Sequence, residues 1–319
     1  MAEELIRVEH LKKYFKVPAG TNHAVDDVSF TIAKGETLGV VGEYGCGKST
    51  LGRTIIHLLE STDGKIFLNN QDVTHVNRAE LKALREKMQI VFQDPYSSLN
   101  PRLRIENTVI EPLKMSGRFH SKAELKSEAN KLMELVGIDE RLREAYPHEL
   151  DGGRRQRVCI ARALALNPEF IVCDEPVSAL DVSIQAAVLN LLQDLQQKMG
   201  MAYMFVTHDL SVVRHISDNI CVMYLGQLVE KAPTKELFAH TLHPYTKALL
   251  SAIPSTDIHH PMQRIKLKGE ITSPINPKPG CRFAARCPYA TEACQQPQKL
   301  EEVGPNHFVS CCRIKEIGE

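Results

Sequence analysis

Eight residues, Gly42-Glu43-Tyr44-Gly45-Cys46-Gly47-Lys48-Ser49, fit the pattern G-x-x-x-x-G-K-[ST]. The chemistry that this spacing serves is the holding of a polyphosphate. Glycines let the backbone curl until successive N–H groups and the start of a following helix face one anion. Lys48 would reach the β- and γ-phosphates and Ser49 would ligate Mg²⁺, with Gly42, Gly45, Cys46, Gly47 and Thr50 completing the candidate contacts. Such a site needs carboxylates, and Asp174-Glu175 closes the apolar run Ile171-Val172-Cys173. Asp174 is placed for Mg²⁺ and Glu175 to polarise an attacking water. A second group with chemical capacity is Cys281, Cys287, Cys294 and Cys311, spaced C-x5-C-x6-C-x16-C. Four thiolates can hold Zn²⁺ or an iron–sulfur cluster, and the spacing lacks the tight C-x2-C knuckles of structural zinc. Cys312 is an adjacent alternative to Cys311.

These residues need particular elements to carry them. Thr37–Gly42 reads as a buried strand feeding the glycine turn, and a helix is expected from Lys48 to about Leu59. Glu169–Cys173 and Ala202–Thr207 read as further strands. Ile184, Val188, Leu191, Leu192 and Leu195 keep helical spacing, with Gly200 just past the end. Cys221–Lys231 reads as two strands about Gly226, and residues 100–165 as a charged helical insertion. Alternation of this kind predicts an α/β domain. After about residue 233 the composition shifts, and the five prolines of 253–280 predict an extended linker.

The chain has 319 residues, with 39 Lys+Arg against 39 Asp+Glu. Zero net charge disfavours a dedicated nucleic-acid binder, which needs a basic excess. No run approaches 18 apolar residues, so no membrane span is expected, and the acidic start MAEELIRVEH is not a signal peptide. Nine cysteines without an export signal read as cytosolic thiols plus a metal site, with Cys159, Cys173 and Cys221 in apolar runs as core residues.

About 20 residues before Asp174, Tyr146-Pro147-His148-Glu149-Leu150-Asp151-Gly152-Gly153-Arg154-Arg155-Gln156-Arg157 resembles the signature of ABC-transporter ATPases. Gln93 in Val91-Phe92-Gln93-Asp94-Pro95 matches the family's Q-loop, Ser178-Ala179-Leu180-Asp181 its D-loop and Thr207-His208-Asp209 its switch histidine. Phe15, or its neighbour Tyr14, stands where the family stacks an aromatic on adenine. The segments Tyr96–Arg102 and His243–Leu250, with the terminal cysteines, resemble the dipeptide/oligopeptide permease branch, specifically its second ATPase subunit.

The resemblance implies an ABC-type P-loop NTPase domain over 1–235: a RecA-like core, an antiparallel β subdomain and a helical signature subdomain at about 96–165. A cysteine-rich extension over 236–319 follows. It implies ATP and Mg²⁺ as cofactors, with Gln93 also sensing the metal, His208 bonding the γ-phosphate and Asp151, Gly152 and Gly153 facing the nucleotide of an opposite subunit. It tips the cysteine segment towards [4Fe–4S], with zinc as the alternative. Implied partners are a second ATPase, two transmembrane permease subunits and, indirectly, an extracytoplasmic solute-binding protein, at the cytoplasmic face of the membrane. Other readings are a degenerate regulatory ATP-binding subunit and a soluble ABC ATPase acting outside transport.

Two residues depart from the family. Asp151 replaces the signature serine, whose hydroxyl donates to the opposite γ-phosphate. An ionised carboxylate cannot donate, and like charges ~4 Å apart repel by ~4 kcal/mol at an effective dielectric near 20. Arg154 can offset part of this, and Asp caps a helix as well as Ser. Tyr44 replaces a small residue of the phosphate loop. A homodimer would place Asp151 against both nucleotides and a heterodimer against only the partner's, which predicts an obligate heteromer with unequal sites.

Overall fold

The computed structural model describes residues 3–253, 264–267, 269 and 272–317. Along the chain run β1 (Glu4–Val17), β2 (Gly20–Ala33), β3 (Thr37–Val41), α1 (Lys48–Ile55), β4 (Asp63–Leu68), β5 (Gln71–Asp72), α2 (Arg78–Lys87) and β6 (Met88–Val91). A helical stretch follows: α3 (Pro95–Ser98), α4 (Ile105–Ser116), α5 (Lys122–Leu135) and α6 (Gly152–Leu164). The chain then forms β7 (Phe170–Asp174), α7 (Val182–Met199), β8 (Ala202–Thr207), α8 (Leu210–Ile216), β9 (Asn219–Tyr224) and β10 (Gln227–Pro233). Last come α9 (Thr234–Ala239), α10 (Pro244–Ser251), β11 (Glu301–Gly304), β12 (His307–Val309) and α11 (Ile314–Ile317).

Two compact units result. One comprises Ala33–Glu36 and His75–Met204 with the first residues; the other comprises Glu4–Ile32, Thr37–Thr74 and the chain from Phe205 onward. In the first unit β6 and β7 pair in parallel. Every residue of β7 is buried, as a continuous apolar run requires when both faces of a strand are covered. Its helices α4, α5 and α6 pack on one another. Helix α5 starts on a capping box, in which Ser121 accepts from the Glu124 amide while the Glu124 carboxylate accepts from the Ser121 amide. Helix α7 ends on Gly200, whose φ of 71° supplies the left-handed stop expected there.

The second unit holds a four-stranded sheet of order β2-β1-β4-β5, with β1–β4 and β4–β5 antiparallel. It also holds β3 and β9 paired in parallel, followed by antiparallel β9–β10, β10–β12 and β12–β11 pairs. The cysteine-bearing tail thus contributes two strands to this sheet. Glu230 of β10 is fully buried and is satisfied by His307 Nε2 of β12 at 2.8 Å and by the amides of Leu242 and His243.

Two expectations change. Helix α1 stops at Ile55 rather than Leu59, because His57 turns left-handed (φ 56°) and the Leu58 and Leu59 amides both fold back onto the Arg53 carbonyl. Much of the proline-rich linker lies outside the described residues, but its second half is not a free tether. Asn276 and Thr21 share a backbone bond of 2.9 Å, and His23 N donates to the Pro274 carbonyl at 3.0 Å.

Candidate nucleotide site

The phosphate loop sits between β3 and α1 in the second unit. Its glycines are demanded by backbone geometry: Gly47 has φ 103°, and a Cβ there would stand 1.9 Å from the Ala24 carbonyl oxygen. At Gly42 a Cβ would meet the Met223 carbonyl oxygen at 2.1 Å. At these two glycines the loop therefore lies against β2 and the end of β9 with no room for a side chain. Lys48 is buried, and its Nζ donates to the carbonyls of Gly42 (2.7 Å) and Glu43 (3.0 Å). Burial pushes the Cys46 thiol up, with Lys48 working against the shift, so this cysteine is held as a protonated packing residue. Ser49 and Thr50 follow in the first turn of α1.

Tyr44 is 73% exposed, and its ring stands 6.4 Å from that of His208, between β8 and α8. Tyr14 stacks on His23 with centroids 4.0 Å apart and its hydroxyl donates to Asp26, while Phe15 carries Lys13 Nζ 4.9 Å from its centroid. The second unit thus brings together the phosphate loop, both candidate aromatics and His208.

The first unit holds the remaining candidates. Asp174 ends β7 and Glu175 follows it, both buried. Glu175 has φ 48°, a left-handed conformation that a non-glycine residue adopts at a cost of order 1–3 kcal/mol and that aims its carboxylate off the strand. Gln93 Nε2 donates to Glu175 Oε2 at 3.0 Å, so the Q-loop amide directly holds the candidate base. Asp151 caps α6, its Oδ1 accepting from the Arg154 amide at 2.7 Å while its Oδ2 stands 3.3 Å from the Arg154 guanidinium. Both roles expected for this residue, cap and partly offset charge, are present. A Cβ on Gly152 would stand 3.1 Å from Leu180, and one on Gly153 would stand 2.5 Å from Ile184 Cγ2. The signature glycines let the D-loop and the start of α7 close onto α6.

Cys159, Cys173 and Cys221 are buried core residues, as expected. Cys281, Cys287, Cys294 and Cys311 lie within electrostatic reach of one another. Burial is the first cause of the raised Cys281, Cys287 and Cys311 thiols, with Cys281 at about 11. Cys294 Sγ is 4.0 Å from Cys312 Sγ. Among the described residues, no three His, Cys, Asp or Glu side chains are arranged to hold a metal ion. As arranged, the four thiols do not form a closed ligand set, and a metal would require them to move together.

Several residues around the loop were not legible in the sequence. Arg286 donates both terminal nitrogens to the Glu43 carboxylate (2.7 and 3.1 Å), and Tyr245 Oη accepts from the Glu43 amide at 2.8 Å. Arg282 donates to Asp26 and to the Leu225 carbonyl. Partners 243 and 256 residues apart leave no local pattern.

A glycine cradle with a buried lysine in the second unit, and two buried carboxylates with a capped, glycine-led helix in the first, are the elements that a nucleotide-hydrolysing cassette requires. Residues 25–178 match the family described as ABC transporter, and residues 229–294 match the oligopeptide/dipeptide transporter C-terminal region. The oligopeptide transport ATP-binding protein AppF of Bacillus subtilis is 47% identical over 97% of both chains. OppF of the same organism, also an oligopeptide transport ATP-binding protein, is 48% identical over 98% of this chain and 97% of its own. Among solved structures, the ATP-binding cassette MJ0796, a dimer bound to ADP and Pi, is 30% identical, with TM-score 0.67 over 72% of this chain and 99% of its own. The chain belongs to the ABC transporter ATP-binding subunits of the oligopeptide/dipeptide permease family, ATPases whose hydrolysis is coupled to transport. ATP with Mg²⁺ is what such an enzyme uses. Among the described residues no helix is long and apolar enough to cross a membrane.

Proposed function

We propose that this chain energises the import of oligopeptides or a related small solute through separate transmembrane permease subunits, from the cytoplasmic face of the membrane. The observation that carries the substrate class is the likeness to oligopeptide transport ATP-binding proteins over nearly the whole chain, including the C-terminal region. In this reading Lys48 and the loop amides bind the β- and γ-phosphates, Ser49, Asp174 and Gln93 hold Mg²⁺, and Tyr14 or Phe15 stacks on adenine. Glu175 orients and deprotonates the attacking water, with Gln93 holding its carboxylate in position. His208 bonds the γ-phosphate. The nucleotide-binding domain ends near residue 235 and the extension follows, a boundary supported by the C-terminal match from residue 229.

The second ATPase partner and the unequal sites rest on Asp151. Its carboxylate is spent on a cap and an ion pair, so it offers no donor to a γ-phosphate presented by another subunit. Confining it to one of two nucleotides requires a heterodimer. The test is reconstitution with permease subunits and the second ATPase in proteoliposomes. Peptide uptake that needs ATP and disappears with Glu175→Gln is expected; uptake unaffected by that change overturns the assignment.

For the tail, the mutual reach of Cys281, Cys287, Cys294 and Cys311 supports a shared ligand, a [4Fe–4S] cluster with zinc as the alternative, taken up with rearrangement of the thiols. Iron and acid-labile sulfide in anaerobically purified protein support the cluster; bound zinc supports the alternative. Protein free of both metals overturns each.

A further inference from the structure

The cysteine-bearing turn Cys281–Cys287 carries two arginines, and each ends on a carboxylate beside the nucleotide elements. Arg286 grips Glu43, the second residue of the phosphate loop, through two parallel bonds; the two side chains are 10% and 24% exposed. Glu43 is also tied through its main chain, its amide to Tyr245 Oη and its carbonyl to Lys48 Nζ. Arg282, 7% exposed, grips Asp26, which in turn accepts from the hydroxyl of Tyr14. The Asp26 amide donates to the Gly226 carbonyl, and the Gly226 amide to the Cys46 carbonyl of the phosphate loop, both at 2.8 Å. Phe283, between the arginines in sequence, is 1% exposed and packs edge-on against Tyr224.

We infer that Arg286 and Arg282 are positioning residues for ATP, setting the phosphate loop through Glu43 and the aromatic platform through Asp26. The physical argument is one of charge and geometry. A carboxylate inside an anion cradle opposes the triphosphate it serves unless a fixed cation neutralises it. Arginine's planar fork both cancels that charge and fixes the carboxylate's orientation, which lysine cannot do. Because Glu43 also holds Lys48 by its carbonyl, the orientation of Glu43 decides where Lys48 starts when phosphate arrives.

This inference rests on the loop being the ATP site, and the experiment separates the two. Binding of adenylyl-imidodiphosphate with Mg²⁺ to the full chain is measured by calorimetry, and KM and kcat for ATP in the reconstituted complex. Lys48→Ala should abolish binding; retained binding there overturns the site itself. With that control in place, Arg286→Met should weaken binding about tenfold and raise KM more than it lowers kcat. Arg286→Lys should fall between, and Glu43→Gln combined with Arg286→Met should recover most of the affinity by removing the unpaired carboxylate. Thermal melts accompany each variant. If Arg286→Met fails to fold, Arg286→Lys and the double variant carry the test. Affinities within twofold of the parent across these variants, or a loss the double variant does not repair, overturn the inference.

Discussion

Gln93 and Glu175 come from loops 82 residues apart, yet the amide of one holds the carboxylate of the other. The pair makes two different predictions. Glu175→Gln removes the proposed base, and hydrolysis should fall by roughly 10²–10⁴-fold while nucleotide binding persists, read by single-turnover kinetics and equilibrium binding. Gln93→Ala leaves the base but frees its orientation, so it should lower kcat by less. Asp151 separates cap from charge. Asp151→Ala should cost about 1 kcal/mol in urea unfolding through loss of the α6 cap, whereas Asp151→Ser keeps the cap. In the proposed complex with a second ATPase, Asp151→Ser should raise turnover by restoring a hydroxyl donor; unchanged turnover would argue that the opposite γ-phosphate never meets this residue. At this scale the sequence was informative wherever a motif spans a few residues, as in Gly42–Ser49 or Leu150–Gly153. Glu43–Arg286 was invisible because both partners look like ordinary surface charges until the fold joins them.

At the scale of elements, buried strands such as β3 and β7 were legible because continuous apolar runs need no alternation to be recognised. Strands β1 and β2 were not. The β1–β4 register slips between Glu9 and Lys12, and His10 adopts a φ of 50°, so the in–out alternation changes phase in mid-strand. The phosphate loop depends on backbone shape in a way that one methyl group can test. Gly47→Ala forces a Cβ into the Ala24 carbonyl and should abolish nucleotide binding, with far-UV circular dichroism close to the parent's. Helix α10 carries a titratable cap: His243 Nδ1 accepts from the Tyr245 amide at 3.1 Å, so the ring is neutral, and burial pulls its pKa down to about 4. Below pH 6.5 the unfolded chain takes up a proton that the folded chain refuses. Stability should therefore fall between pH 6.5 and about 4, by about 1.4 kcal/mol per unit across that window. Urea midpoints measured across this range should flatten in His243→Asn; an equal slope in the variant would assign the acid sensitivity elsewhere.

At the scale of the whole molecule, 39 Lys+Arg balance 39 Asp+Glu, and among the described residues no helix is long and apolar enough to cross a membrane. The purified chain alone should hydrolyse ATP slowly, and adding the second ATPase and the permease subunits should accelerate it; brisk turnover by the lone chain would count against the heteromer. The tail has a further consequence through β11 and β12. Without β12, strand β10 would present a row of open main-chain groups and Glu230 would lose the His307 ring that shields it. The outer strand that closes this row, β11, is four residues long and carries exposed Glu301 and Glu302, a poor template for a second chain to pair with. Strands β11 and β12 therefore cover an edge that would otherwise lie open to another chain. A truncation before residue 272 should aggregate as it is made, whereas replacing the tail cysteines with serine should leave the chain soluble.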